Sequence, residues 1–112
     1  MTPEDAFKLH AKIRWAGLAS EYGEVVFSKQ REGVKRISPE DADHAFMQMG
    51  PLLLVSICER LSQWTGEVGS IVVNYEKVDC LIVKVRDGYL ALALEKGQPA
   101  ETISQVVRAL KK

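Results

Sequence analysis

The chain has 112 residues, of which 46% are hydrophobic and 27% are charged, and 15 Lys and Arg residues balance 15 Asp and Glu residues. This length predicts one domain, residues 1–112, with its own buried core, and the neutral charge argues against nucleic acid or an anionic membrane surface as a partner. Cys58 and Cys80 have no CxxC spacing and favour two free thiols in a reducing cytoplasm. The longest nearly uncharged apolar run, residues 51–58, is too short for membrane insertion.

The N-terminal region predicts a short helix followed by a hairpin. Thr2 is the expected helix cap, Pro3 fits the first turn, and the acidic Glu4 and Asp5 suit the positive end of the helix dipole. We expect this helix to end near residue 11 or 12. Two apolar strands, residues 13–20 and 24–30, then form a β-hairpin through the turn that contains Gly23.

Residues 29–37, KQREGVKRI, form a charged connection with four Lys or Arg residues and one Glu. A loop that binds nucleic acid or phosphate is one interpretation, and a solvated, mobile loop is the other. No aromatic residue interleaves these charges, although stacking is expected in a protein that binds single strands. The sequence therefore favours the solvated loop.

A central helical segment runs from Pro39, with Ser38 as the expected cap, to about Thr65, and Gly66 follows as a good terminating residue. Gly50-Pro51 interrupts it, because an interior proline removes a hydrogen bond. Either the helix is kinked there or a second helix begins at Pro51. Residues at three- and four-residue steps form one apolar stripe, and its continuity favours the kink: Ala42, Ala45, Phe46, Met49, Leu53, Ile57, Leu61 and Trp64.

The second half of this segment, PLLLVSICERL, is apolar on more than one side. Leu52, Leu54, Val55 and Cys58 lie off the stripe. A helix that is apolar nearly all round must be covered on both sides. The sheet can cover one side, and the other needs further helices of this chain or a second copy of it.

Residues 68–94 predict a three-stranded meander with Asp87-Gly88 at the centre of a type I′ turn, so that Val85 pairs with Leu90. A strand at Ile71-Val72-Val73 precedes this hairpin, and an amphipathic helix over residues 100–112 follows it with Ile103, Val106, Val107 and Leu110 inward. One hairpin face is wholly apolar, namely Leu81, Val83, Val85, Leu90, Leu92 and Leu94. The other face is mixed: Ile82, Lys84, Arg86, Tyr89, Ala91 and Ala93.

The order α-ββ-α-βββ-α predicts a two-layer α+β domain, with helices on one face of a five-stranded antiparallel sheet. The sequence AGLASEYGEVVFS at residues 16–28, together with the meander GSIVVNYEKVDCLIVKVRDGYLALAL, resembles the Roadblock family of dynein light chains and small-GTPase regulators. That family lies within the profilin-like and longin-like group, and the resemblance covers nearly the whole chain.

The resemblance implies a homodimer or heterodimer that serves as an interaction scaffold and a platform for a small GTPase, and the apolar PLLLVSICERL and unprotected GSIVVNY segments favour the homodimer. In such proteins the third strand pairs across the dimer and the central helices meet beside it. By position, the resemblance places these residues at the dimer interface: Leu54, Val55, Cys58, Ile71, Val72, Val73, Asn74 and Tyr75.

No residue pattern predicts a catalytic centre, a metal site or a cofactor. His10 and His44 occupy different predicted helices, Ser56 lies mid-helix without a nucleophile motif, and residues 66–69 lack the lysine of a P-loop. Trp15, Trp64 and Tyr89 are interpreted as core or interface anchors. The alternative function is a small-molecule sensor, against which the uniformly Leu and Val meander face argues, because ligand sites place a few polar groups. An enzyme is the weakest hypothesis.

Overall fold

The computed structural model describes residues 1–111 and contains five strands and four α-helices, so Lys112 of the expected last helix lies outside it. The helices are α1 (Pro3–Phe7), α2 (Glu40–Ser56), α3 (Ser62–Thr65) and α4 (Glu101–Leu110), with a 3₁₀ turn at Cys58–Leu61. The strands are β1 (Ile13–Ala19), β2 (Val25–Gln30), β3 (Ile71–Asn74), β4 (Val78–Val85) and β5 (Gly88–Glu95). They form one antiparallel sheet in the order β2-β1-β5-β4-β3, which confirms the expected α+β fold.

Helices cover both faces of the sheet, whereas two layers were expected. Helices α1 and α4 pack on the Leu and Val face, where Leu81, Val83, Leu90 and Leu92 are fully buried. Helix α2 packs on the opposite face against Trp15, Ala91 and Ala93. The helical layer on this face was not predicted, because here Ala91 and Ala93 share the face with the charged Lys84 and give no continuous apolar pattern.

The close approach of α2 depends on a glycine in β1. A Cβ atom added at Gly17 would lie 2.7 Å from the Sδ atom of Met47, which is buried on α2. Gly50 of α2 performs the same role against Ile82, whose side chain occupies the space that a Cβ would need. These two glycines therefore set the distance between α2 and the sheet.

The turn between β4 and β5 lies one residue earlier than the sequence indicated. Val85 pairs with Gly88 and Lys84 with Tyr89, so the two turn residues are Arg86 and Asp87 and the expected pairing of Val85 with Leu90 is wrong. No residue but glycine has positive φ within residues 1–111, which excludes a type I′ turn centred on Asp87. The register shift is two residues in total, so the division into an apolar and a mixed face is confirmed.

Gly88 is required for a different reason, a close contact with the neighbouring hairpin. Its φ is 143°, and a Cβ atom there would collide with the carbonyl oxygen of Ala19. The glycine is thus part of β5, where it allows the backbone to pass the end of β1.

Helix α1 begins as expected and ends early. The Oγ1 atom of Thr2 accepts a hydrogen bond from the Asp5 amide at 3.2 Å, and the Asp5 carboxylate accepts one from the Thr2 amide at 2.9 Å. The helix ends at Phe7 instead of residue 11 or 12, and the Arg31 guanidinium donates to the carbonyl oxygens of Phe7 and His10 beyond that end.

The basic connection after β2 is anchored to the fold by Arg31, for which the expectation of a solvated loop is wrong, whereas Arg36 is exposed. Arg31 also donates to the Ile13 carbonyl, and its guanidinium lies 4.9 Å from the ring centroid of Phe7. Arg36 forms an ion pair with Asp43 at 3.0 Å.

Helix α2 is continuous through Pro51, which excludes a second helix beginning there. It ends at Ser56, and the rest of the expected segment forms the 3₁₀ turn and the single turn α3 before Gly66. Ser38 does not cap the helix backbone, because its hydroxyl donates to the Asp43 carboxylate. The last helix, α4, packs Val106 inward with Ile103, Val107 and Leu110 around it, as expected.

Candidate interaction surface and adjoining cavity

The outer side of α2 carries a continuous row of exposed apolar side chains. Met49 is 64% exposed, and Leu52 and Leu53 follow at the three- and four-residue steps that place side chains on one helix face. Trp64, which is 73% exposed, lies beyond this helix, in α3. We call this set the α2 outer surface; it comprises Met49, Leu52, Leu53, Val55, Ile57, Leu61 and Trp64.

The sheet-facing side of α2 has a less apolar sequence than its outer side. The buried residues are Asp43, Met47, Pro51 and Leu54, so a carboxylate and a proline interrupt the buried pattern. Leu54 was expected at the dimer interface, and this position is corrected, because its side chain is 1% exposed within its own chain. Most of the predicted apolar stripe, from Met49 onward, is therefore exposed to solvent.

Strand β3 lies at one edge of the sheet, where the sequence placed the pairing strand. Within the described residues it pairs only with β4, through Ile71 with Ile82 and Val73 with Cys80. Val72 and Tyr75 are exposed. The strand contains no proline and no charged residue, the features that usually protect a sheet edge from pairing.

A cavity of about 460 Å³ opens between the N-terminal half of α2 and the β3–β4 turn. Trp15 and Phe46 form one wall in an edge-to-face arrangement, with ring centroids 6.5 Å apart. The other lining residues come from β1, β2, β4, β5, the loop before α2, α2 itself and the β3–β4 turn: Arg14, Gln30, Ile37, Ser38, Ala42, Asp43, Tyr75, Glu76, Lys77, Val78, Cys80 and Ala93.

The polar groups deep in this cavity are held by other protein groups. Asp43, which is 8% exposed, accepts hydrogen bonds from Arg36 at 3.0 Å and Ser38 at 2.5 Å. Arg14 pairs with Glu95 at 2.8 Å. Within residues 1–111, every buried side-chain nitrogen and oxygen atom has a hydrogen-bond partner.

Cys80 presents a neutral thiol to the cavity. Burial raises its pKa to about 11, and the negative charges of Asp79 and Asp43 act in the same direction. Cys80 and Cys58 are both free and half-buried. Cys80 therefore contributes a weakly polar surface to the wall and is not an activated nucleophile at neutral pH.

The other residues considered for chemistry are occupied or isolated. His10 accepts a hydrogen bond from the Lys12 amide at 3.0 Å, and His44 lies 3.5 Å from Glu40. The Ser56 hydroxyl donates to the carbonyl oxygen of Leu52 in its own helix. In the described part of the chain, no group of three His, Cys, Asp or Glu residues is arranged to hold a metal ion, and no helix is long and apolar enough to cross a membrane.

Solved structures with the same architecture decide the fold. A structure of MglB in a tetrameric arrangement has a TM-score of 0.68 at 15% identity, covering 96% of this chain and 81% of that one. A Roadblock/LC7 domain from Streptomyces avermitilis has a TM-score of 0.60 at 16% identity, covering 96% of this chain and 90% of that one. This chain has the Roadblock/LC7 fold.

Other matches agree with this result. The gliding protein MglB from Thermus thermophilus has a TM-score of 0.62 at 15% identity, covering 97% of this chain and 85% of that one. No family model and no curated protein matched the sequence. The Roadblock resemblance seen in the two hairpins is thus confirmed at the level of fold.

The sequence found the edge strand but not the cavity or the orientation of α2. Predicted interface residues on β3 do lie at an open edge, close to Tyr75, which is 47% exposed. The cavity lies on the mixed face, whereas ligand binding was judged from the Leu and Val face. A signal was present in Ala93, because a small residue on an otherwise buried strand leaves space above it.

Proposed function

We propose that this protein is a non-enzymatic scaffold of Roadblock type that works as a homodimer and as a platform for, or regulator of, a small GTPase. The observation that supports it best is the pairing of a large exposed apolar row on α2 with an open sheet edge at β3. Soluble monomers rarely leave apolar surfaces of this extent uncovered. In this proposal residues 1–112 act as one domain.

A two-fold contact would cover both features together. Pairing β3 with the same strand of a second copy would continue the sheet, and the two α2 helices would meet on one side of it. The proposed contact consists of the α2 outer surface and six residues from the sequence prediction, Cys58, Ile71, Val72, Val73, Asn74 and Tyr75. Leu54 supports the contact from below, because it fixes α2 to the sheet.

The GTPase role depends on the Roadblock resemblance and is the more specific part of the proposal. A regulator of this kind acts through protein surfaces, and the exposed apolar row on α2 offers one. The proposal includes a cytoplasmic location, which the two free thiols support.

Light scattering tests the dimer. At micromolar concentration we expect a mass of about twice 12.5 kDa for the wild type. Leu53→Glu and Val55→Glu each place a charge in the proposed contact, and each should weaken association by about 100-fold or more. The matched control is Val26→Glu, which changes a 57% exposed valine on β2, at the other edge of the sheet. A wild-type mass near 12.5 kDa, or dissociation by Val26→Glu alone, contradicts the proposed contact.

Binding to GTPases is tested separately on the intact protein. Purified small GTPases of the host, loaded with GDP or with a non-hydrolysable GTP analogue, are passed over the immobilised wild type and the Leu53→Glu variant. We expect one GTPase to bind the wild type with a preference between the two nucleotide states. A dimer that retains none of them keeps the scaffold and excludes the GTPase role.

A further inference from the structure

The cavity beside α2 has the size and lining of a small-molecule site. Its volume of about 460 Å³ falls within the range of about 300–1,000 Å³ that is usual for such sites. Most of its wall is apolar, from the rings of Trp15 and Phe46 to the aliphatic Val78 and Ala93. Of the residues proposed for the dimer, only Tyr75 also lines the cavity, so the two surfaces adjoin at this residue.

The charges around the cavity cancel. Arg14 and Lys77 are balanced by Asp43 and Glu76. Arg14 is engaged with Glu95, and Asp43 is engaged with Arg36, so neither group needs a counter-ion from a ligand. The Cys80 thiol is also neutral, because burial raises its pKa to about 11. A charged ligand would lose its hydration without gaining an unpaired partner in the deep part of the site.

Gln30 can orient a ligand inside the cavity, whereas the polar Tyr75, Glu76 and Lys77 of the wall are exposed to solvent. Gln30 is half-buried at the end of β2, opposite Trp15 in the sheet, and lines the cavity. Within residues 1–111 its side-chain amide makes no hydrogen bond to the protein; the bond nearby runs from the Trp15 indole to Ser28 at 3.1 Å. The amide can therefore donate or accept one hydrogen bond.

We infer that this cavity is a binding site for an uncharged, largely apolar, aromatic molecule with a single hydrogen-bonding group. The aromatic corner of Trp15 and Phe46 holds a ring by an edge or face contact, and Gln30 meets the polar group. The site gives the scaffold a ligand-binding activity that one chain carries by itself, because every residue that lines the cavity belongs to that chain.

The protein supplies its own reporter for this site. It has two tryptophans, of which Trp15 is 5% exposed in the cavity wall and Trp64 is 73% exposed on the α2 outer surface. In a Trp64→Phe background, Trp15 alone emits. The probe is the neutral fluorescent amine N-phenylnaphthylamine, which has two aromatic groups and one N–H. We expect saturable binding of one probe per chain, with quenching of Trp15 and enhanced probe emission.

Two cavity-filling variants and one control locate the binding. Ala42→Phe places a ring over the cavity from an exposed position on α2, and Ile37→Phe narrows it from the preceding loop. Each should weaken probe binding at least about tenfold, whereas Ala109→Phe, the same change at an exposed position of α4 on the other face, should leave it unchanged. Thermal unfolding shows which of the two cavity variants is as stable as the Trp64→Phe background, and that variant is used for the comparison.

Different results would contradict the existence of the site and the proposed class of ligand. No saturable binding, or equal affinity in a folded cavity variant, removes the site and assigns any signal to the α2 outer surface. The anionic analogue anilinonaphthalenesulfonate should bind more weakly than the neutral amine. Tighter binding of the anion would overturn the assigned ligand class. Light scattering of each variant shows whether its oligomeric state has changed, so that a loss of probe binding is distinguished from a loss of the dimer.

Discussion

At the scale of single residues, glycines fix how closely the layers approach. Gly17 and Gly50 let α2 reach the sheet, and Gly88 lets β5 pass the end of β1. At each of these three positions, an added Cβ atom would collide with atoms of a neighbouring residue. By contrast, Gly97 has a similar need for positive φ, at 90°, but has no atom within 4 Å of the added carbon. The two kinds of glycine should therefore respond differently to alanine.

Gly88→Ala should destabilise the protein by several kcal/mol, because the new methyl group meets a backbone carbonyl that cannot move independently. Gly97→Ala should cost only the strain of a left-handed alanine, about 1 kcal/mol. Urea unfolding of the two variants measures the difference. Equal losses would mean that conformational strain alone explains Gly88.

Cys80 provides a test of the mixed face at residue scale. Because burial raises its pKa from 9.0 to about 11, it has about 100-fold less thiolate than a free cysteine at pH 8. In a Cys58→Ser variant, alkylation by iodoacetamide at that pH should be at least about 100-fold slower in the native protein than in urea. Similar rates would place the thiol in solvent.

The raised pKa of Cys80 also predicts how the free energy of unfolding changes with pH. The raised folded-state pKa favours the protonated thiol, so this contribution is complete below pH 9 and is lost as the pH rises through about 11. The free energy of unfolding of the wild type should therefore fall more steeply between these values than that of Cys80→Ala. If the free energies of unfolding of the two proteins depend on pH in the same way across this interval, Cys80 is not buried as assigned.

At the scale of elements, α2 is the helix whose orientation the sequence did not reveal. Its exposed side, which carries Met49, Leu52 and Leu53, is more apolar than its buried side, which contains Asp43 and Pro51. A stripe of this kind normally faces the core, and only the structure distinguishes a core from an interface. The faces of the strands were easier to predict, because a turn displaced by one residue changes the pairing by two residues and leaves each side chain on the same face.

Pro51→Ala should stabilise the protein modestly. The change restores a helical N–H inside α2, which can recover about 3 kcal/mol. Pro51 is buried, so loss of part of its ring from the contact with the sheet offsets about 2 kcal/mol. We expect a net gain of about 1 kcal/mol in unfolding experiments, and no change for Pro99→Ala, which is exposed and precedes α4. Clear destabilisation would show that the proline ring is needed for packing.

At the scale of the whole molecule, the sheet separates two different environments. The Leu and Val face is closed by α1 and α4, and it was predictable because every second residue of the hairpin is aliphatic. The other face is only partly covered by α2, which leaves the cavity and the half-buried Ile71 and Val73 beside the open edge. This face mixes the large Trp15 and Ile82 with small alanines and the charged Lys84, so its ability to hold a helix, a ligand or a partner could not be read from hydrophobicity.

The open edge gives a test of the dimer that does not disturb the strand. Alternate residues of an antiparallel edge strand direct their N–H groups away from the sheet, which makes two outward amides among the four residues Ile71–Asn74. In the proposed dimer these amides bond to the partner strand, so their hydrogen exchange should be at least about tenfold slower than in the monomeric Leu53→Glu variant. The outward amides of β2, at the other edge, serve as the control and should exchange equally fast in both proteins. Equal exchange at β3 in a wild type that scatters as a dimer would show that the copies meet through α2 alone and that the sheet does not continue across the axis.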